Sequence, residues 1–253
     1  MGDSARYLYA ITRGLQPGTL ADLTGLDGGQ IEVVEHRGLE AVVSDVDLDE
    51  YGEEALKRNL EQLDWLEAAV RVHDAVIQAV TARGPTAPLR LATICLDDEG
   101  VRRRLDEWFY ALQQILDRVD GRMEWSVKVL APPEQVPVGA PAGGDLGGAD
   151  YLRRKRATAE ARAEAEAVAA RVGDEVHDAL SSMSVASRRL PPQDPRLTGH
   201  VGTMLLNSAY LIAADDSEAF TSRVTELATS YPTMEVSCVG PWPPYSFAML
   251  EQR

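Results

Sequence analysis

Residues 131–150 carry Pro132-Pro133, Gly143-Gly144 and Gly147-Gly148 among alanines, a composition that holds neither helix nor strand. Patterned segments stand on both sides of it. A chain of 253 residues is long enough for two ordinary domains, and this stretch is where it divides. The organisation read from it is an N-terminal domain at 1–130, a linker or loop at 131–150, a C-terminal domain at 151–240 and a tail at 241–253.

In the first half, Tyr7, Tyr9 and Ile11 alternate onto one face of a strand over 6–12, closed by Gly14, Pro17 and Gly18, with a short helical turn expected at 19–26. Residues 31–36 and 39–44 read as a hairpin turning at Arg37-Gly38. A helix is predicted over 53–82, with Leu56, Leu60, Leu63, Leu66, Val70, His73, Ile77 and Val80 at three- and four-residue spacing, and Gly84-Pro85 stops it. A strand over 89–96 follows Pro88. Asp97 then caps a second helix whose apolar stripe is Val101, Leu105, Trp108, Leu112, Ile115 and Val119, ended by Gly121. Residues 122–130 alternate, with Met123, Trp125, Val127 and Val129 inward and Arg122, Glu124, Ser126 and Lys128 outward. The order β-β-β-α-β-α-β suits a mostly antiparallel sheet with both helices on one face.

In the second half a long helix runs from Tyr151 to about Ser181, its modest stripe being Ala165, Val168, Val172, Val176 and Leu180. A strand is expected over 185–190, a loop from Pro191-Pro192 through Gly199, and a long central strand over 201–213. Asp215-Asp216-Ser217-Glu218 caps a helix bearing Phe220, Val224 and Leu227, and a last strand starts at Met234. This α-β-β-α-β order is a ferredoxin-like unit lacking its first strand. The fold class is therefore α+β: two ferredoxin-like-related α/β sandwich domains, antiparallel sheets with helices on one face, plus a Pro/aromatic C-terminal tail.

In that tail Gly240 is expected to break the strand, and Pro241, Pro243 and Pro244 forbid helix and sheet interior. Trp242, Tyr245 and Phe247 thus sit on a stiff, polyproline-like rail that docks either on the second domain or on a partner.

Forty acidic against twenty-five basic residues leave a net charge of −15, which argues against nucleic acid and anionic membranes as partners. The N-terminus has no signal-peptide core, and the longest apolar run, 201–214, is too short to span a bilayer, so a cytoplasmic location without membrane insertion is expected. Cys95 and Cys238 fall in predicted strands and read as buried free thiols.

None of His36, His73, His177 and His200 forms a metal-ligand pair, and no nucleotide loop or nucleophile elbow is present. No cofactor or metal is expected, and the chain reads as non-enzymatic. His73, on an apolar stripe, reads as a packed core histidine before a ligand or base. Glu124 with Lys128 reads as a solvated salt-bridged sheet face before an acid–base couple. Arg153-Arg154-Lys155-Arg156 is a solvated helix start or, less favoured, a contact for an acidic surface.

The octet Gly240-Pro241-Trp242-Pro243-Pro244-Tyr245-Ser246-Phe247 resembles the terminal signature of the gas vesicle protein F/L family. Similar stretches are spread over nearly the whole chain: Tyr7-Leu8-Tyr9, Ala41-Val42-Val43-Ser44, Pro88-Leu89-Arg90, Glu124-Trp125 with Val127-Lys128, Tyr151-Leu152 and Leu206-Asn207-Ser208-Ala209-Tyr210-Leu211. One departure stands out. After Arg90 the family tends to show Phe-Gly-Thr, where this chain has Leu91-Ala92-Thr93.

The resemblance implies an assembly factor for gas vesicles, located with the vesicle, that binds the small hydrophobic major shell protein, with other gas vesicle accessory proteins as further candidate partners. Its implied contacts are Pro88, Leu89 and Arg90 with Trp242, Tyr245 and Phe247. The competing reading is a ferredoxin-like module that binds or transforms a small molecule, since that fold hosts many functions. A third is a structural component of the shell itself.

Overall fold

Strand β1, Ser4–Thr12, is the centre of the first sheet in the computed structural model, which describes residues 3–16, 18–132, 148–194 and 202–248. The stretch 133–147 and His200 lie outside the described residues. The chain divides into two compact units, Met1–Glu124 with Pro241–Arg253, and Trp125–Gly240.

In the first unit β1 pairs antiparallel with β3 (Leu39–Asp47), and β3 with β2 (Glu32–His36). Arg37 and Gly38 take φ of 54° and 78°, the two left-handed residues that a tight hairpin of matching twist needs. The other edge of β1 carries two short strands, β4 (Thr86–Pro88) and β5 (Ile94–Cys95), where one strand over 89–96 is expected. The register of β1 against β3 slips between Leu8 and Ala10, so Tyr9 is an extra residue. Tyr7, Tyr9 and Ala10 all join one core cluster, and Ile11 turns to the opposite face instead of sharing that of Tyr9.

A short helix α1 (Leu48–Tyr51) follows β3, and the helix expected over 53–82 is two: α2 (Glu53–Asn59) and α3 (Leu63–Thr81). The Asn59 side chain donates to the Glu50 carbonyl oxygen (3.1 Å), and Gln62 is extended before α3 restarts the spiral. That reset shifts the helical phase. The buried stripe of α3 becomes Ala69, His73, Val76, Ile77 and Val80, while Leu63 is 80% and Val70 44% exposed. Helix α4 (Asp98–Val119) forms as predicted, with the Asp97 carboxylate accepting from the Gly100 N–H at 2.7 Å.

Adjacent residues of β1 reach different helices. Arg6 donates to Asp98 of α4 at 2.8 Å, and the Tyr7 hydroxyl meets His73 of α3 at 3.0 Å. Successive strand residues point to opposite faces, so α3 and α4 cover opposite faces of the sheet and do not share one. This is why β3 is buried on both sides from Ala41 to Ser44.

The second unit holds β6 (Arg122–Ala131) from Trp125 on, α5 (Gly148–Ser181), β7 (Ala186–Arg189), β8 (Thr203–Ala213), α6 (Ser217–Ser230) and β9 (Glu235–Trp242) up to Gly240. Its sheet order is β7-β8-β6-β9. Strand β6, expected to close the first sheet, supplies the missing first strand of the second and completes a β-α-β-β-α-β plan. Val127, Val129, Val172, Val176, Leu180, Tyr210 and Phe220 form its core, with the Tyr210 and Phe220 rings 5.5 Å apart. Helix α5 comes close enough to β8 that a Cβ on Gly173 would lie 2.7 Å from the Leu205 carbonyl oxygen. Strand β9 runs on through Gly240 to Trp242. It is an edge strand, the place in a sheet where a proline such as Pro241 is tolerated.

Candidate functional site

The three-residue mismatch between β4 and β5 builds a cleft in the first unit. Pro88 stands opposite Ala10, so an unbroken strand would set residue 91 across from Tyr7; Ile94 stands there instead. The ladder holds on either side, with Leu89 N–H on the Tyr9 carbonyl oxygen (3.0 Å) and Leu8 N–H on that of Thr93 (2.8 Å). Arg90, Leu91 and Ala92 are extruded between them. Ala92 pays for the loop with a left-handed backbone, φ 64°.

A buried polar chain supports the loop from beneath. The Ala92 N–H donates to the Tyr7 hydroxyl at 3.0 Å, and Tyr7 lies 3.0 Å from His73 Nδ1. His73 Nε2 is 3.2 Å from the Leu89 carbonyl oxygen, which can only accept. Nε2 therefore carries the proton, and Nδ1 accepts from Tyr7. Both loop ends are thus tied to one another through two core side chains. Burial holds His73 below the ordinary histidine range and Tyr7 above that of tyrosine. The histidine is a structural member of the core, with both ring nitrogens engaged.

The cleft so formed has a volume of about 510 Å³ and is lined by Val70, Pro88, Leu91, Trp108 and Tyr245 with Arg71 and Arg90 among its charged groups. The phase break before α3 puts Val70 on this surface, and the half-buried Trp108 of α4 faces it from another element. Arg71 is paired with Glu67 at 2.5 Å. Arg90 is exposed, and its guanidinium has no partner among the described residues.

Tyr245 comes from the tail, which is no extended rail. Tyr245 N–H donates to the Pro243 carbonyl oxygen at 2.7 Å, and those of Phe247 and Ala248 to Pro244 at 3.1 and 3.0 Å, so the chain curls into consecutive turns. The Tyr245 hydroxyl donates to Asp74 at 2.6 Å, and Gln78 takes the other carboxylate oxygen at 2.5 Å. Burial and then the Asp74 carboxylate keep that phenol protonated far above its ordinary range. Glu124, expected on a solvated face with Lys128, is 7% exposed and accepts from both the N–H and the hydroxyl of Ser246, each at 2.7 Å. It anchors the tail on the first unit.

Of the six contact residues implied by the resemblance, Pro88, Leu89, Arg90 and Tyr245 come together at this cleft. Phe247 is buried at 8%, and Trp242, 39% exposed at the end of β9, does not line it. Sequence reasoning missed Val70 as a surface residue and the glutamate anchor. The departure at Leu91-Ala92 was the one local signal that the loop between β4 and β5 is unusual.

Among the described residues no three His, Cys, Asp or Glu side chains are grouped to hold a metal ion, and no helix is long and apolar enough to cross a membrane. Cys95 and Cys238 are free, and burial raises the Cys238 thiol to about 11.

The family model described as gas vesicle synthesis protein GvpL/GvpF matches residues 5–249. Gas vesicle protein L of Streptomyces sp. (strain CB03234) is 38% identical over 99% of this chain and 95% of its own length. Gas vesicle protein F2 of Halobacterium salinarum is 26% identical over 98% of this chain and 93% of its own. The crystal structure of the gas vesicle protein GvpF from Anabaena sp. PCC7120 shares the fold, with a TM-score of 0.73 at 19% identity and 98% of each chain covered. That of GvpF from Microcystis aeruginosa gives 0.69 at 19%, over 97% of this chain and 99% of the other. A family model that matches nearly the whole chain and a relative of 38% identity over 99% of it lead to one conclusion: this chain belongs to the GvpL/GvpF family of gas vesicle synthesis proteins.

Proposed function

We propose that this protein is a gas vesicle assembly factor that holds the major shell protein, using the cleft under the 90–92 loop of its first unit. The observation that carries this reading is the cleft itself. Val70, Leu91 and Trp108 present apolar surface from three separate elements, and Val70 is 44% exposed with nothing of its own chain to cover it among the described residues. A small, very hydrophobic shell subunit that polymerises too early needs such a surface to shield it. The net charge of −15 would keep the pair dissolved.

The mode of contact favoured here is side-chain docking. The sheet edge beside the cleft is interrupted after Pro88, and the backbone on either side of the extruded loop is already bonded to β1. A partner strand would find no continuous ladder at that edge.

A small-molecule site is the weaker reading. The cleft volume would suit one. Of its polar groups, however, His73 is committed to Tyr7 and Leu89, and Asp74 to Tyr245 and Gln78, which leaves Arg90 to meet a ligand without convergent partners.

The test is co-expression of the tagged full-length protein with the major shell protein, followed by soluble pull-down, with Leu91→Asp and Trp108→Ala alongside. Wild type should retain soluble shell protein, and both folded variants should retain much less. If wild type retains none while both proteins are expressed, or if the variants retain as much as wild type, the cleft is not the shell-binding surface.

A further inference from the structure

Among the described residues the cleft sets an apolar wall beside one cation, Arg90, that makes no ion pair, and its sign is opposite to the net charge of the protein. Arg71 at its rim is ion-paired with Glu67, and the Asp74 carboxylate keeps its charge but is held in place by Tyr245 and Gln78. Arg104, near Trp108, stacks over that ring at 4.9 Å and faces Glu107 at 3.5 Å. Arg90 has no such partner among the described residues and is carried on an extruded loop whose ends are fixed through Tyr7 and His73. In a chain with 40 acidic and 25 basic residues, an unpaired arginine would find many carboxylates within the same protein to pair with. Here a pinned loop holds it at the mouth of an apolar cleft.

We propose that Arg90 is a specificity-determining residue: the cleft selects an apolar helical segment of its partner that carries a carboxylate, the apolar face lying on Val70, Leu91 and Trp108 and the Asp or Glu side chain meeting the Arg90 guanidinium. This rests on the reading of the cleft as the shell-binding surface and names the chemistry of the segment it takes. A guanidinium offers a fork of donors that matches a carboxylate in two bonds, which a lysine could not reproduce. The broken edge between β4 and β5 excludes a strand addition at this place, so a helix presenting side chains is the form that fits.

The experiment uses the full-length protein and a designed amphipathic helical peptide with one central Glu, together with its Gln and Lys counterparts, measured by calorimetry. Wild type should bind in the order Glu, Gln, Lys, with about fivefold between Glu and Gln, the upper range of a partly exposed ion pair. Arg90→Glu should reverse the order, and Arg90→Lys should bind the Glu peptide more weakly than wild type does. Circular dichroism and the urea midpoint should be unchanged in both variants, because the exposed Arg90 side chain makes no hydrogen bond or ion pair among the described residues. The same order of affinities in wild type and Arg90→Glu overturns the inference, and so does failure of all three peptides to bind. A peptide order that reverses in Arg90→Glu, with no shell protein retained by wild type in the pull-down, would keep the cleft chemistry and discard the shell protein as its partner.

Discussion

Ala92→Gly should stabilise this protein. At φ 64° the alanine Cβ crowds the backbone, a cost of roughly 1–2 kcal/mol for a residue other than glycine. Two terms offset the relief. Glycine adds about 0.4–1 kcal/mol of unfolded-state freedom, and losing a half-buried methyl forfeits about 0.4 kcal/mol of burial. The bond from residue 92 to Tyr7 is made by the backbone N–H and survives the change. The net expectation is a gain of about 0.5 kcal/mol, in line with the glycine that the resembling sequences tend to carry here. Urea denaturation followed by tryptophan fluorescence would show it as a higher midpoint with an unchanged slope. Ala87→Gly is the control. That residue is fully buried in β4 without a positive φ, so the same substitution should destabilise by about 1 kcal/mol or more. If Ala92→Gly is neutral or destabilising while Ala87→Gly behaves as expected, the left-handed conformation at Ala92 carries no cost and the reasoning fails.

Tyr7→Phe removes the hydroxyl between Ala92 N–H and His73 Nδ1, leaving polar groups unsatisfied; a loss of about 2 kcal/mol and faster exchange of the Ala92 amide are expected by urea titration and hydrogen exchange. His73 is held below its unfolded value of about 6.5, so between that value and its lower folded value the unfolded chain binds more protons; stability should fall as the pH drops through that window and be steady above it, a slope that His73→Gln should remove in pH-dependent denaturation. Glu124→Ala takes away both acceptors for Ser246, and the Ser246 amide should exchange on the order of tenfold faster or more, with no change expected if the tail is held by packing alone. Gly173→Ala forces a Cβ to within 2.7 Å of the Leu205 carbonyl oxygen, which should push α5 from β8 and cost about 1–3 kcal/mol in thermal or urea unfolding.

The cleft was only partly legible before the fold was known. Pro88, Leu89, Arg90 and Tyr245 could be singled out as stretches that resemble a family, but nothing in their spacing says that residue 245 lies beside residue 74. Val70 read as core because helical periodicity was continued through residues 60–62. The chain's phase resets at Gln62, and no glycine or proline announces it. Glu124 read as solvent-facing because alternation assigns faces without saying what covers each one. It is buried by its bonds to Ser246, 122 residues away in the chain.

By itself the amino-acid sequence determined the elements whose energy is local. The Arg37-Gly38 hairpin, the Asp97-capped helix α4 and the buried Phe220, Val224 and Leu227 of α6 follow from turn conformation, capping and a 3.6-residue period. It also marked the family, through short stretches from Tyr7 to Phe247. Tertiary structure decided which sheet β6 joins, the bulge at Tyr9, the extruded loop at 90–92 and the docking of Tyr245 on Asp74. A strand's alternation is the same whichever neighbour it pairs with, and a register mismatch exists only between two strands. Such features are properties of pairs of segments far apart in the chain, and only the assembled fold brings those pairs together.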